Sequence, residues 1–194
     1  MPSPRSLFIF RQDLRVFDNT GLYTAAEQSK EIIPVFIFDT QILQHLPAQD
    51  ARLGFLIEAI LALATDIRKT GGQLQILHGD PLVLIPQLLQ QRHIDAIWVN
   101  SAYDSYGQHR DEKIRQHCQA QGKDFHQVED FLLVDPDQVA ARKVFTPFYK
   151  LWQTVPKRGR LLPLPKFPTT DYEKLDKQSL PLLSHDSNKI HSIL

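Results

Sequence analysis

The chain has 194 residues, 42% of them apolar and 23% charged, which suits a globular domain with a sizeable core and excludes a disordered or fibrous chain. Lys+Arg and Asp+Glu balance at 22 each, so no overall basic field draws nucleic acid, and direct DNA binding is not expected. The single cysteine, Cys118, excludes an intramolecular disulfide and a Cys-based zinc cluster and suits a reducing cytosol. No apolar run approaches membrane-spanning length and Met1–Phe10 lacks a signal-peptide core, so a cytoplasmic protein with no membrane association is expected.

In chain order the pattern alternates between strand and helix. Leu7–Phe10 is an unbroken apolar run, the signature of a strand buried on both faces. A charged turn holding Arg11, Asp13, Arg15 and Asp18 follows, with Asn19 and Thr20 as helix N-cap candidates and a short helix to Lys30. Ile32–Phe38 is a second strand, expected to begin near Pro34 or to bulge there, and it ends at Asp39. Ala51–Thr70 carries Leu53, Leu56, Ile60, Leu63 and Ile67 at helical spacing and stops at Gly71-Gly72.

Leu74–Leu77 is the third strand. The helix over Leu82–Gln91 is expected to kink at Pro86 or to start late. Asp95–Asn100 is the fourth strand, Ser101–Gly107 a loop, Arg110–Ala120 a polar helix and Phe125–Val128 a weaker fifth strand. Strands alternating with helices predict an α/β fold, a Rossmann-like open parallel five-stranded sheet with helices on both faces and expected order 3-2-1-4-5. Ligands bind such sheets at the carboxyl ends of the strands, beside the switch point between the first and fourth strands. Val134–Asp137 reads as turn chemistry and Val144–Trp152 as an aromatic patch. Beyond that patch the chain is expected to divide: an α/β domain over 1–152, then a Pro-rich linker or tail over 153–194.

Within this framework Phe10-Arg11-x-Asp13-Leu14-Arg15-x-x-Asp18-Asn19 resembles the FRxDLRxxDN opening motif of the DNA photolyase/cryptochrome family. Arg52 with Phe55-Leu56 is similar to the family's RxxFL helix opening, and Gly79-Asp80-Pro81 to its GxP turn. Asn100–Asp111 looks like its NxDYxPYxxxRD segment, and Val144–Phe148 like its VFTPF motif. The resemblance covers roughly Leu7–Trp152, the family's N-terminal α/β domain.

That domain holds a light-harvesting antenna chromophore, which needs a concave apolar slot and a few orienting polar groups. The resemblance therefore implies cofactor-binding roles for Arg11, Asp13, Asp39, Arg52, Asp104 and Gly107. It implies no catalytic and no metal-binding residue. Tyr106-Gly107 stands where the folate-binding relatives carry an Asn-Glu pair, so deazaflavin or FMN is favoured over folate. Alternative readings stay open: ion pairing within the first loop for its four charged residues, N-capping for Asp39 and Asp104, and a plain turn glycine at 107.

Two departures stand out. In the Asn100–Asp111 segment Ala102 replaces the usual acidic residue and cannot accept a hydrogen bond, and Ser105 replaces a proline; further on, the piece between Gln138 and Val144 is shortened. Weak antenna affinity is expected. The family's FAD belongs to a separate helical domain that would follow, so this chain alone is expected to lack photorepair activity.

Three functions compete: an antenna module serving an FAD-bearing chain, a silent photolyase fragment, and a small-molecule or partner-binding protein reusing the fold. Self-association through the patch over Phe145, Phe148, Tyr149 and Trp152 is a further expectation.

Overall fold

In the computed structural model, which describes residues 3–47, 50–157, 167 and 190, five parallel strands form one sheet in the order β3-β2-β1-β4-β5. The strands are β1 (Ser3–Phe10), β2 (Ser29–Asp39), β3 (Gln75–Gly79), β4 (Ala96–Asn100) and β5 (Asp124–Val128). The helices are α1 (Thr20–Gln28), α2 (Thr40–Leu43), α3 (Ala51–Lys69), α4 (Pro81–Gln91), α5 (Ser105–Ala120) and α6 (Phe145–Thr154), with a 3₁₀ turn over Pro136–Gln138.

The period-2 alternation of the strands divides the core into two layers. Phe8, Phe10, Ile32, Phe36, Phe38 and Ile76 face α1 and α3 and meet Leu22, Ile57, Ile60 and Ile67. Leu7, Ile9, Ile33, Val35, Ile37 and Leu77 face α4 and α5 and meet Leu84, Leu88 and Ile114. The chain steps outward from β1 to β3 with α1 and α3 on one face, then returns to β4 and β5 with α4 and α5 on the other. Right-handed crossovers in opposite directions require that split and open a crevice between β1 and β4.

Several boundaries differ from the sequence reading. β2 runs straight through Pro34, which pairs with Phe8 of β1, instead of beginning there. Pairing with β3 starts only at Val35, so β2 has a single described neighbour at Pro34 and tolerates the missing donor as an edge would. α4 starts at Pro81, not later: Asp80 caps it by accepting from Leu82 N at 2.8 Å, and Pro86 lies within the continuous helix. α5 begins at Ser105, five residues before the expected start, because Asp104 caps it by accepting from Gly107 N at 2.7 Å. Gly107 is thus a first-turn helical residue. The aromatic patch is helical too: Phe145, Tyr149 and Trp152 of α6 stack along one side, with Phe145 and Tyr149 exposed.

The expected Pro-rich tail falls outside the described residues apart from Phe167 and Ile190, and both of these are buried in the α1/α3 layer. Phe167 N donates to Thr70 O at 3.3 Å, and its ring lies so close to Gly72 that a Cβ there would come within 2.9 Å of it. Among the described residues no helix is long and apolar enough to cross a membrane.

Cys118 is fully buried on the inward face of α5, and burial together with the Asp124 charge pushes its thiol up to about 11. The fold favours the protonated form, so this contribution to stability is complete below about pH 9 and is lost as pH rises through about 11. Native protein at pH 8 should leave Cys118 unlabelled by an aromatic disulfide reagent over minutes, with one equivalent reacting after denaturation. Rapid native labelling would contradict this burial.

Gly21 tests the packing of α1 on the sheet. A Cβ added there would fall 2.1 Å from Asn100 Oδ1 and 3.2 Å from the Phe8 ring. Gly21→Ala should destabilise the domain by about 2–4 kcal/mol, read by denaturant unfolding, because it overpacks the core and displaces a buried hydrogen bond.

Candidate functional site

The residues at the carboxyl ends of β1, β2 and β4 converge on one cleft of about 290 Å³. Its floor is the end of the aromatic stripe that fills the α1/α3 layer: Phe10, Phe36 and Phe38 belong to both. Ile42 and Leu43 of α2 and Leu56 of α3 form the apolar wall. The opposite wall is the N-terminal end of α5, with its cap Asp104 and with Tyr106, Gly107 and Arg110, and Phe131 completes the rim.

Polar groups beside the floor are locked by a buried network. Asp13, 5% exposed, accepts from Arg11 N at 2.9 Å, Asn19 Nδ2 at 3.2 Å and Asn100 Nδ2 at 2.5 Å. Asn100 Nδ2 also donates to Asn19 Oδ1 at 2.9 Å, while Asn100 Oδ1 accepts from Gly21 N at 3.1 Å. Arg11 crosses to α5, where Nη1 meets both oxygens of the buried Asp111 at 2.6 and 2.7 Å, and Nη2 donates to the Asn100 carbonyl. Arg15 pairs with Asp130 at 2.5 Å, and Asp130 Oδ1 accepts from Thr20 N at 2.7 Å. Asp18 takes a left-handed backbone (φ 51°) just before the Asn19 cap, a conformation that short polar residues tolerate.

On the far side, Tyr106 Oη donates to Asp39 Oδ2 at 2.7 Å. Burial and this carboxylate raise the phenol above its ordinary range. The Arg110 guanidinium lies over the Tyr106 ring at 5.5 Å and within 3.6 Å of Asp39. Gly107 packs against Ala102, where a Cβ on the glycine would come within 2.6 Å of the alanine Cβ.

Of the residues singled out in the sequence, Arg11, Asp13, Asp39, Asp104 and Gly107 line the cleft. Arg52 does not, and its expected place is corrected. Its guanidinium closes on Asp50, the α3 N-cap two residues earlier, at 2.6–3.1 Å, and its side chain is 74% exposed. That pairing holds the Asp50 carboxyl down at about 2. Leu56, one turn further on, is the α3 residue that reaches the cleft.

Sequence reasoning passed over Asn100, Tyr106, Arg110 and Asp111 as site residues. Asn100 was detectable as a polar residue ending a fully apolar strand, and Asp111 as a carboxylate on the inward face of α5, four residues after Gly107. Among the described residues no group of His, Cys, Asp and Glu is arranged to hold a metal ion.

A doubly wound parallel sheet with an aromatic-floored cleft at its switch point defines a ligand-binding α/β domain. The chain belongs to the DNA photolyase family: residues 6–169 match the family model for DNA photolyase, and the match is to its N-terminal α/β domain. It is 35% identical to a deoxyribodipyrimidine photo-lyase of Synechococcus sp. (strain PCC 6301) over 183 residues, which is 92% of this chain and 37% of that protein. An uncharacterised 31.6 kDa protein of Synechococcus sp. (strain PCC 6716) is 31% identical over 96% of this chain and 67% of its own length. The archaeal photolyase of Sulfolobus tokodaii, solved with two FAD molecules, superposes with a TM-score of 0.72 at 36% identity, over 79% of this chain and 36% of that one. The chain thus spans little more than a third of the photolyases it matches.

The Arg11–Asp111 pair is the strut between the first loop and α5, with side chains 14% and 2% exposed. Asp111→Ala would leave the largely buried Arg11 guanidinium without its carboxylate. It should cost about 3–5 kcal/mol in denaturant unfolding, as breaking one side of a buried ion pair does.

Proposed function

We propose that this domain is a chromophore-binding antenna module, with the switch-point cleft holding one planar tricyclic ring of the flavin or deazaflavin class. The observation that carries the reading is the cleft itself: an aromatic and aliphatic slot of about 290 Å³, ringed by fixed polar groups, at the edge where this fold binds ligands. Small-molecule pockets begin at roughly 300 Å³, so the slot matches a ring system. Bound there, such a ring would absorb light and pass excitation to a neighbouring acceptor.

The chain's own residues perform the binding. Phe10, Phe36 and Phe38 offer apolar contact, while Ile42, Leu43 and Leu56 exclude water. Asp104 and Tyr106 present polar atoms on the α5 side, and the pairing of Tyr106 with Asp39 keeps that ring in place. The Sulfolobus tokodaii relative, with its two FAD molecules and its implied light-harvesting cofactor, supports a flavin-type ring here over folate. Within this reading the acceptor and any photorepair belong to an FAD-bearing partner or domain. The exposed aromatic ladder of α6 is a surface such a partner could use.

Titration of the chain with riboflavin, FMN, a deazaflavin and a reduced folate, followed by ligand fluorescence, tests this. Saturable binding of the tricyclic rings, with folate at least about tenfold weaker, is the expected result. Ile42→Asp, which puts a charge on the apolar wall at a surface-accessible position, should weaken binding by about tenfold or more. Arg52→Ala, outside the cleft, should leave it unchanged. Binding insensitive to Ile42→Asp, or preferential binding of folate, would overturn the reading.

A further inference from the structure

We infer that the cleft selects an uncharged ring and that the phosphate of a flavin nucleotide contributes nothing to its affinity, an inference that rests on the chromophore reading above. Doubly wound folds ordinarily take phosphate at helix N-termini along this edge, where free backbone N–H groups and the helix dipole attract anions. Here those positions are filled from within.

The first three N–H groups of α1, the helix that follows β1, are all taken by side chains. Thr20 N donates to Asp130 Oδ1 at 2.7 Å, Gly21 N to Asn100 Oδ1 at 3.1 Å, and Leu22 N to Asn19 Oδ1 at 3.0 Å. The two other helices that begin at the cleft carry carboxylate caps: Asp39 accepts from Gln41 N at 2.9 Å, and Asp104 from Gly107 N at 2.7 Å. A phosphate would have to displace a carboxylate or a buried amide at the start of α1, and it would meet a capping carboxylate at the starts of α2 and α5.

The lining charges point the same way. Among the described residues, four carboxylates and two guanidinium groups line the cleft. Both guanidinium groups are already engaged. Arg11 is held by Asp111 and the Asn100 carbonyl, and Arg110 lies 3.6 Å from Asp39, 3.4 Å from Asp111 and over Tyr106. With Asp130 neutralised by Arg15 and Arg11 by Asp111, Asp13, Asp39 and Asp104 face Arg110 alone, so the local field is negative and repels a phosphate dianion while leaving a neutral ring unaffected.

Riboflavin, FMN and FAD share one ring and differ in phosphate, so their relative affinities read the selection directly. Fluorescence titrations at low salt should find riboflavin binding as tightly as FMN and FAD or more tightly, with any gap closing at 0.5 M salt, roughly, as screening removes the repulsion. Asp104→Asn keeps an N-cap and removes one negative charge. It should shift the riboflavin-to-FMN affinity ratio toward FMN by about twofold to fivefold.

FMN or FAD binding more than about threefold tighter than riboflavin at low salt would overturn the inference. An unchanged ratio in Asp104→Asn would overturn its electrostatic half. If none of the three flavins binds, the chromophore reading itself fails, which is distinguishable from binding with phosphate preference.

Discussion

The arrangement of the whole switch point depends on the side chain of Asn100. It ends β4 at 5% exposure, and its amide must satisfy both a donor and an acceptor away from water. The NH₂ reaches Asp13 and Asn19, and the oxygen takes the N–H of Gly21. One carboxamide therefore ties the loop after β1, the first turn of α1 and the end of β4, three segments far apart in sequence. An aspartate at this position could accept but not donate, and would place a second carboxyl beside Asp13. The glycine at 21 follows from the same contact, because any Cβ there would occupy the space of the amide oxygen.

Fixing Asp13 and Arg11 has consequences across the cleft. With its backbone N–H on Asp13 and its guanidinium on Asp111, Arg11 spans from the β1 loop to α5. α5 in turn carries Tyr106, whose phenol is held by Asp39 at the end of β2. The cleft is thus bounded by a closed circuit of hydrogen bonds through β1, β4, α5 and β2. Its apolar floor requires nothing further. The even-numbered stripe of Phe10, Phe36 and Phe38 that packs the α1/α3 core simply reaches the strand ends, where it meets the cleft.

The strands and their alternation with helices were legible in the sequence because unbroken apolar runs mark strands buried on both faces, and right-handed crossovers then restrict the layering. The start of α5 was not. Asp104-Ser105-Tyr106-Gly107 reads as loop chemistry until the carboxylate is seen to accept from Gly107 N, and a glycine in the first turn of a helix disguises the boundary. Arg52 illustrates a limit of a different kind. Its position in a family-like motif is real, yet an aspartate two residues upstream offers a carboxylate at closer range than the cleft. The reverse holds for Asp111, which lies within a quoted motif but whose partner, Arg11, is a hundred residues away in sequence, so only the fold reveals the pair. Pro34 reads as a strand start or a bulge because the sequence does not state how far the neighbouring strand extends. Pairing with β3 from Val35 onward is what makes the proline acceptable.

Internal capping also bears on how a ligand would bind. Loops at strand ends are ordinarily the mobile part of an α/β domain, and ordering them on binding costs affinity. Here the loop after β1 is pinned by Asp13, Arg15 and Asn19, and the segment after β4 passes into α5 within four residues. The same side chains that close the helix starts to phosphate hold the walls in the binding geometry beforehand. If the cleft takes a ring as proposed, the same hydrogen bonds hold its walls and cap the helix starts, so relaxing the caps to admit a phosphate would also loosen the slot.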